Sequence, residues 1–364
     1  MAENRIQHFV PQFLLRNFAV NEDKTHIASF YIKNEKFIAE TKISRQAEKK
    51  YYYGDDGGVE EALSKIEARS APIIMKMLEK NEIPMIGSQD HYHLAAFIMT
   101  MISRTKYMGD MVLETANKFL KQTMLDSPND EEFKKPFRED KIRINHDYPV
   151  LFSLSKSLQY IILLCDLNYK LLINTTKTPF IISDNPVVLY NQSLEKKREF
   201  ANNIGFTTPG LQMFMPISPS KGIIFYDENF YNVGSKNNKE VCVKEDKDVE
   251  NLNMLQCLSA NENLYFDSII TEGYIRDLFN KTKKYRRSEK INLQTYVNPE
   301  KQAPNNLLYM LTTKEIRMNL TLSFVFETAI SRNFQIGSKL LLVRNPELLA
   351  RAQKTAEEFK DRGI

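Results

Sequence analysis

His8, Gln12 and Arg16 stand four residues apart in the otherwise apolar opening His8-Phe9-Val10-Pro11-Gln12-Phe13-Leu14-Leu15-Arg16-Asn17-Phe18. An imidazole can accept a proton or bind a metal, a carboxamide can orient its neighbour, and a guanidinium holds anions. A second group lies far along the chain. Arg104 falls three residues after Met101 and seven after Phe97, on the apolar face of a helical pattern. An isolated buried charge costs many kcal/mol, so this guanidinium must meet a carboxylate, a cluster of carbonyls or a phosphate. Glu60, Glu67 and Asp184 are the carboxylates expected near it. His8 as base or metal ligand, Glu60, Glu67 and Asp184 for Mg²⁺ or Mn²⁺, and Arg16 and Arg104 for an anion would suit phosphodiester hydrolysis. His8, Gln12, Arg16, Arg104 and Asp184 are therefore the candidate catalytic residues.

The elements that must position them follow from pattern. A helix over about Val10 to Phe18 accepts Pro11 in its first turn and puts Gln12 and Arg16 on one face, with His8 just ahead of it. Thr25 to Ile32 and Phe37 to Ile43 predict a β-hairpin. Tyr51-Tyr52-Tyr53 reads as packing at a strand end, with base stacking as the other option. Val59 to about Asn81 predicts a helix kinked at Pro72, its stripe running through Leu63, Ile66, Ser70, Ile73 and Met77. Glu60 and Glu67, seven apart, share nearly one face. Ser88 N-caps a long helix reaching about Met124. Its His91 and His93, two residues apart, point in different directions and do not make a metal pair.

Asp126 to Asn145 is polar and reads as a surface connection or a flexible lid, and Leu151 to Leu167 as helix. Tyr169 to Thr175 and Phe180 to Tyr190 predict two strands of an antiparallel sheet built from residues 168 to 232. Asp184-Asn185-Pro186 interrupts the second strand, as an active-site carboxylate or a structural bulge would. Gln212 to Pro216 and Gly222 to Asp227 predict two further strands, and Asp246 to Asn261 and Thr271 to Asn280 two helices. Lys283, Lys284, Tyr285, Arg286 and Arg287 lie in the most basic stretch, either a solvated face or a phosphate-contacting arm. Together with Asn185 they are the candidate binding residues. Lys314 to Glu327 alternates like a long half-exposed strand that could pair with a partner protein. Lys339 to Val343 predicts a strand and Pro346 to Asp361 a terminal helix. The expected fold is α+β, a mainly helical N-terminal half packed on an antiparallel sheet. Residues 1–290 form the main domain and 291–364 an appended element.

Composition narrows the classes. The chain has 364 residues, 42 % of them apolar, with 22 Phe and 17 Tyr, ample for a core. Its net charge is only +4, so nucleic-acid affinity must come from a local patch. Three widely spaced cysteines argue against a disulfide framework or a zinc site. No basic-then-apolar leader and no apolar run of about 18 residues is present, so a cytoplasmic protein with no membrane span is expected. Nucleophilic catalysis has little support: Ser183 lacks a glycine elbow, and the cysteines have no evident activating base.

The opening stretch resembles the signature of a bacterial family known as domain of unknown function 4238. Arg104-Thr105 and Phe180-Ile181-Ile182-Ser183-Asp184-Asn185-Pro186-Val187 are similar to its later landmarks, as are Met215-Pro216-Ile217-Ser218-Pro219 and Asn251 to Ala260. The resemblance covers about residues 5 to 285. It implies a shared fold and a shared polar site, and it implies no activity. The expectation from the polar residues themselves is a metal-dependent, nuclease-like phosphodiester hydrolase acting on nucleic acid or a nucleotide, of the kind a bacterial antiviral host-defence effector would carry. The alternative is a non-catalytic module that binds an anion or a partner through an arginine-rich pocket.

Overall fold

The strand-breaking sequence Asp184-Asn185-Pro186 is where one sheet hands the chain to the other. Ile182–Ser183 lies in a four-stranded sheet and Val188–Tyr190 in a five-stranded one. Proline cannot donate to a ladder, so the chain changes partners there instead of bulging within one strand. The computed structural model describes residues 6–197, 204–286, 291–297, 307–313, 315–336 and 342–361.

The five-stranded sheet runs in the order Glu240–Val243, Asn168–Asn174, Lys221–Tyr226, Gln212–Ser218 and Val188–Tyr190. All its neighbours are antiparallel except Glu240–Val243, which runs parallel to Asn168–Asn174. The expected antiparallel sheet is thus a mixed one, extended past residue 232. The four-stranded sheet pairs the expected hairpin, His26–Tyr31 with Lys36–Lys42, against Asn263–Phe266 and Ile182–Ser183. The class is α+β.

One face of the five-stranded sheet carries the N-terminal helices, with Leu14, Leu15, Phe97, Met101, Leu164 and Met215 in a shared core. A second core includes Phe214, Ile224, Leu252, Leu255, Ile275 and Leu278, bringing in the helices Asp246–Ser259 and Glu272–Lys283.

The expected long helix is two. Gln89–Ser103, N-capped by Ser88, stops at Arg104. Lys106–Asp126 then starts afresh, with the Thr105 hydroxyl accepting from the Met108 N–H. Thr105 is extended, at φ −74° and ψ 156°, so the apolar period continues through a capped break. Within the surface connection the structure places a further helix, Glu131–Arg138.

Lys314 lies outside the described residues, and the rest of 314–327 is not one long strand. Only Val325–Glu327 is a strand, paired with Tyr231–Val233. Met318, Leu320, Leu322 and Phe324 do alternate into the second core, but the backbone between them is tied by side chains. The Tyr190 hydroxyl accepts from Leu320 N–H, Gln192 donates to Leu320 C=O, and Asp248 accepts from Ser323 N–H. The alternation is that of an extended strap whose inner face is covered by its own chain. Most of the strand expected over 339–343 falls outside the described residues, and the terminal helix spans Pro346–Asp361. Arg344, just before it, donates to both Asp166 oxygens, at 3.0 and 2.6 Å, fixing this end to the main body.

Candidate functional site

The site begins on a short ribbon. Ile6–His8 pairs antiparallel with Glu48–Lys50, and His8 stands directly opposite Glu48, so their side chains share a face. After Pro11 the chain makes one helical turn, Gln12–Leu15, followed by a 3₁₀ turn, Arg16–Phe18. Four-residue spacing then acts as expected. Arg16 Nη2 donates to Gln12 Oε1 at 3.3 Å, and Gln12 Nε2 lies 3.3 Å from His8 Nε2. Arginine can only donate, so the Gln12 oxygen faces Arg16 and its amide N–H faces the imidazole. In the tautomer with its proton on Nδ1, His8 Nε2 accepts that N–H; in the other tautomer it donates to the Ser44 carbonyl. Burial favours the neutral imidazole, since it pushes the His8 pKa below its ordinary value, against the pull of the Ser44 carbonyl and Glu48. Once protonated, Nε2 would turn its N–H to the Ser44 carbonyl, 3.4 Å away.

Arg104 lies behind this group, 1 % exposed. Its Nη1 meets Glu67 Oε1 at 2.5 Å, its Nη2 donates to the His8 carbonyl at 2.6 Å, and its Nε donates to the Tyr53 hydroxyl at 3.1 Å. Of the three carboxylates expected near it, Glu67 is the ion-pair partner. Tyr53 is held by Gln7, whose Oε1 accepts the Tyr53 N–H at 2.6 Å. Burial pushes the Tyr53 hydroxyl up to about 12, against the Arg104 charge that pulls it down. Burial likewise raises the Glu60 pKa, Arg104 opposing and Glu67 adding to it. Glu60 Oε2 and Glu48 Oε2 are both buried with no hydrogen-bond partner. Such oxygens favour a cation or a proton donor.

Asp184 belongs to a neighbouring arrangement. Its carboxylate accepts three backbone N–H groups, from Asn261 and Glu262 at 2.8 Å and from Asn263 at 3.2 Å. Burial pushes it up to about 6 although these donors pull it down. Asn185 accepts from the Thr105 hydroxyl at 3.2 Å and donates to Ser259 Oγ at 2.9 Å. The Arg104-Thr105 and Asp184-Asn185 pairs therefore adjoin through Thr105 and Asn185, while the Asp184 oxygens are committed to the loop at 261–263.

The structure thus joins His8, Gln12, Arg16, Arg104 and Glu67 into one chain of contacts, sets Glu60 and Glu48 beside it, and leaves Asp184 and Asn185 one link away. The basic stretch is engaged elsewhere. Lys283 pairs with Glu35 at 2.9 Å, Lys284 lies over the Tyr285 ring, and Arg286 donates to the Cys257 and Ala260 carbonyls at the end of a helix. Arg287 lies outside the described residues. Among the described residues no group of three His, Cys, Asp or Glu side chains could hold a metal ion. Mg²⁺ is commonly held by one or two carboxylates and water, which Glu60 and Glu67 could supply.

Sequence reasoning missed Glu48 and the role of Tyr53. Glu48-Lys49-Lys50 is too short and too charged to read as a strand. Tyr53 had one usable signal, because a buried guanidinium has five donors and needs more than one acceptor.

His8 sets a pH dependence with a definite sign. Its folded pKa is lowered, so the folded state binds fewer protons, and the stability it contributes is present above the unfolded value and lost as pH falls through the folded one. Wild type should lose stability relative to His8→Gln on going from pH 7 to pH 5. Urea midpoints at both pH values test this, and a midpoint difference independent of pH would refute it.

Fold and site together define an α+β protein with a half-buried histidine backed by an arginine–carboxylate core. The chain belongs to the family described as protein of unknown function (DUF4238), whose model matches residues 6–269. Comparison with curated proteins and with solved structures finds no match. Among the described residues no helix is long and apolar enough to cross a membrane.

Proposed function

We propose that the protein is a metal-dependent phosphodiester hydrolase acting on nucleic acid or a nucleotide, working in the bacterial cytoplasm as a host-defence effector. One observation carries this proposal. Two buried carboxylate oxygens without partners, on Glu48 and Glu60, accompany an imidazole that burial keeps neutral. Arg16 is exposed and can take a phosphate oxygen, and His8, kept neutral by burial, can accept a proton from the attacking water. Mg²⁺ or Mn²⁺ on Glu60 and Glu67 would supply charge for the phosphoryl oxygens. Asp184 serves by fixing the loop beside the site.

The test is cleavage of single- and double-stranded DNA and RNA with Mg²⁺, with Mn²⁺ and with chelator. Metal-dependent cleavage is expected. It should fall about 10²-fold or more in His8→Ala and in Glu60→Gln with melting temperatures retained. No cleavage of any substrate by folded wild type would overturn the proposal. The exposed Arg16 also suits an anion-binding module without turnover, and salt-sensitive binding without cleavage would favour that instead.

A further inference from the structure

The helix Lys106–Asp126 carries an apolar stripe that the core leaves partly uncovered. Met108, Met111, Val112, Ala116 and Phe119 follow helical spacing, yet Gly109 is the one fully buried residue of the helix. The stripe forms one wall of a cavity of about 620 Å³. Its floor includes Met99 and Ile102, its second wall is Phe152 and Lys156 of the helix Val150–Gln159 with Tyr160 just past its end, and Phe206 and Leu311 complete the lining. The cavity does not touch the His8 site.

Three features say what it would hold. Its hydroxyls are already spent in part: Ser103 donates to the Met99 and Thr100 carbonyls, and Ser157 to the Leu154 carbonyl. A polar ligand would find few partners inside. Methionines at 99, 108 and 111 give the wall an adaptable apolar surface. Lys156 is the one charged residue of the lining; it is exposed, and no carboxylate among the described residues pairs with it. From Met108 to Phe119 the stripe spans roughly 16 Å at the helical rise, the reach of an extended alkyl chain.

We propose that this cavity binds a fatty acid, its alkyl chain lying along the Met108–Phe119 stripe and its carboxylate paired with Lys156. The inference is independent of the hydrolase assignment.

Calorimetric titration of the full chain with octanoate, decanoate and dodecanoate, below micelle formation, tests it. Affinity should rise about fourfold per added methylene while the chain still fits. Dodecyltrimethylammonium, with the same tail and opposite charge, should bind more weakly than dodecanoate. Lys156→Gln should cost dodecanoate about fivefold and leave dodecanol unchanged. Ala116→Phe, at a half-buried position, should cut the affinity of both at least tenfold with melting preserved. Absence of binding by folded wild type would overturn the proposal, as would equal affinity for the anion and the cation or insensitivity to Ala116→Phe. A dimer that Ala116→Phe disrupts, with no fatty-acid binding, would assign the face to a second copy and overturn it too.

Discussion

Arg104→Ala is expected to cost about 3–5 kcal/mol of folding stability, one of the largest losses any single substitution in this chain should produce. The substitution leaves the Glu67 carboxylate, the His8 carbonyl and the Tyr53 hydroxyl without the donor they share, and opens a cavity where a fully buried side chain stood. The cost comes mainly from what is left behind. A pair of substitutions separates that cost from the value of the ion pair. Arg104→Met alone should be severe, whereas adding Glu67→Leu should recover a large part of the loss, since replacing both charges with apolar groups removes the uncompensated one. Urea unfolding of wild type, both single variants and the double variant measures the coupling. Strict additivity would show that the two side chains are not energetically joined.

Asp184→Ala should cost a similar amount, about 3–5 kcal/mol, for a different reason: three backbone N–H groups lose their acceptor at once. Hydrogen exchange should localise the damage, with the amides of Asn261, Glu262 and Asn263 losing protection before the rest of the sheet. The same carboxylate has a pH signature opposite to that of His8. Its folded pKa is raised to about 6, so the folded state holds the proton more tightly than the unfolded chain does. Its contribution to stability is full below the unfolded value, near 4, and is lost as pH rises through 6. Asp184→Asn should abolish that component. A wild-type minus Asp184→Asn difference that stays flat between pH 4 and pH 7 would contradict this assignment.

How far the sequence predicts these features depends on how local they are. The hairpin at 26–42, the Gly58–Lys80 helix and the contact between Gln12 and Arg16 depend on neighbours within a few residues, and periodicity is enough to find them. The need of Arg104 for a partner was also legible, because burying a charge limits the options to a few carboxylates. Which carboxylate it takes was not, since Glu67 lies 37 residues away and Asp184 is an equally good anion on paper. The break at Thr105 was hidden by an apolar period that runs on across it. The strap at 315–324 misled for the opposite reason: its alternation is real, but side chains stand in for the neighbouring strand and leave no trace in a period of two. Pro186 looks in the sequence like a fault within one strand, and only the three-dimensional arrangement shows that its two sides belong to different sheets.

The register between Asn263–Phe266 and His26–Tyr31 has a consequence for how the protein is made. The hairpin at 26–42 is made more than two hundred residues before the strand that covers its inner edge. At translation speeds of roughly 5–20 residues per second, the wait is on the order of ten to fifty seconds. During that time the edge of His26–Tyr31 stays unpaired, and Phe30, buried in the finished protein, has no core to enter. The nascent chain is therefore expected to be a client for holding chaperones through that interval, and to gain protection against proteolysis only once Asn263–Phe266 has emerged.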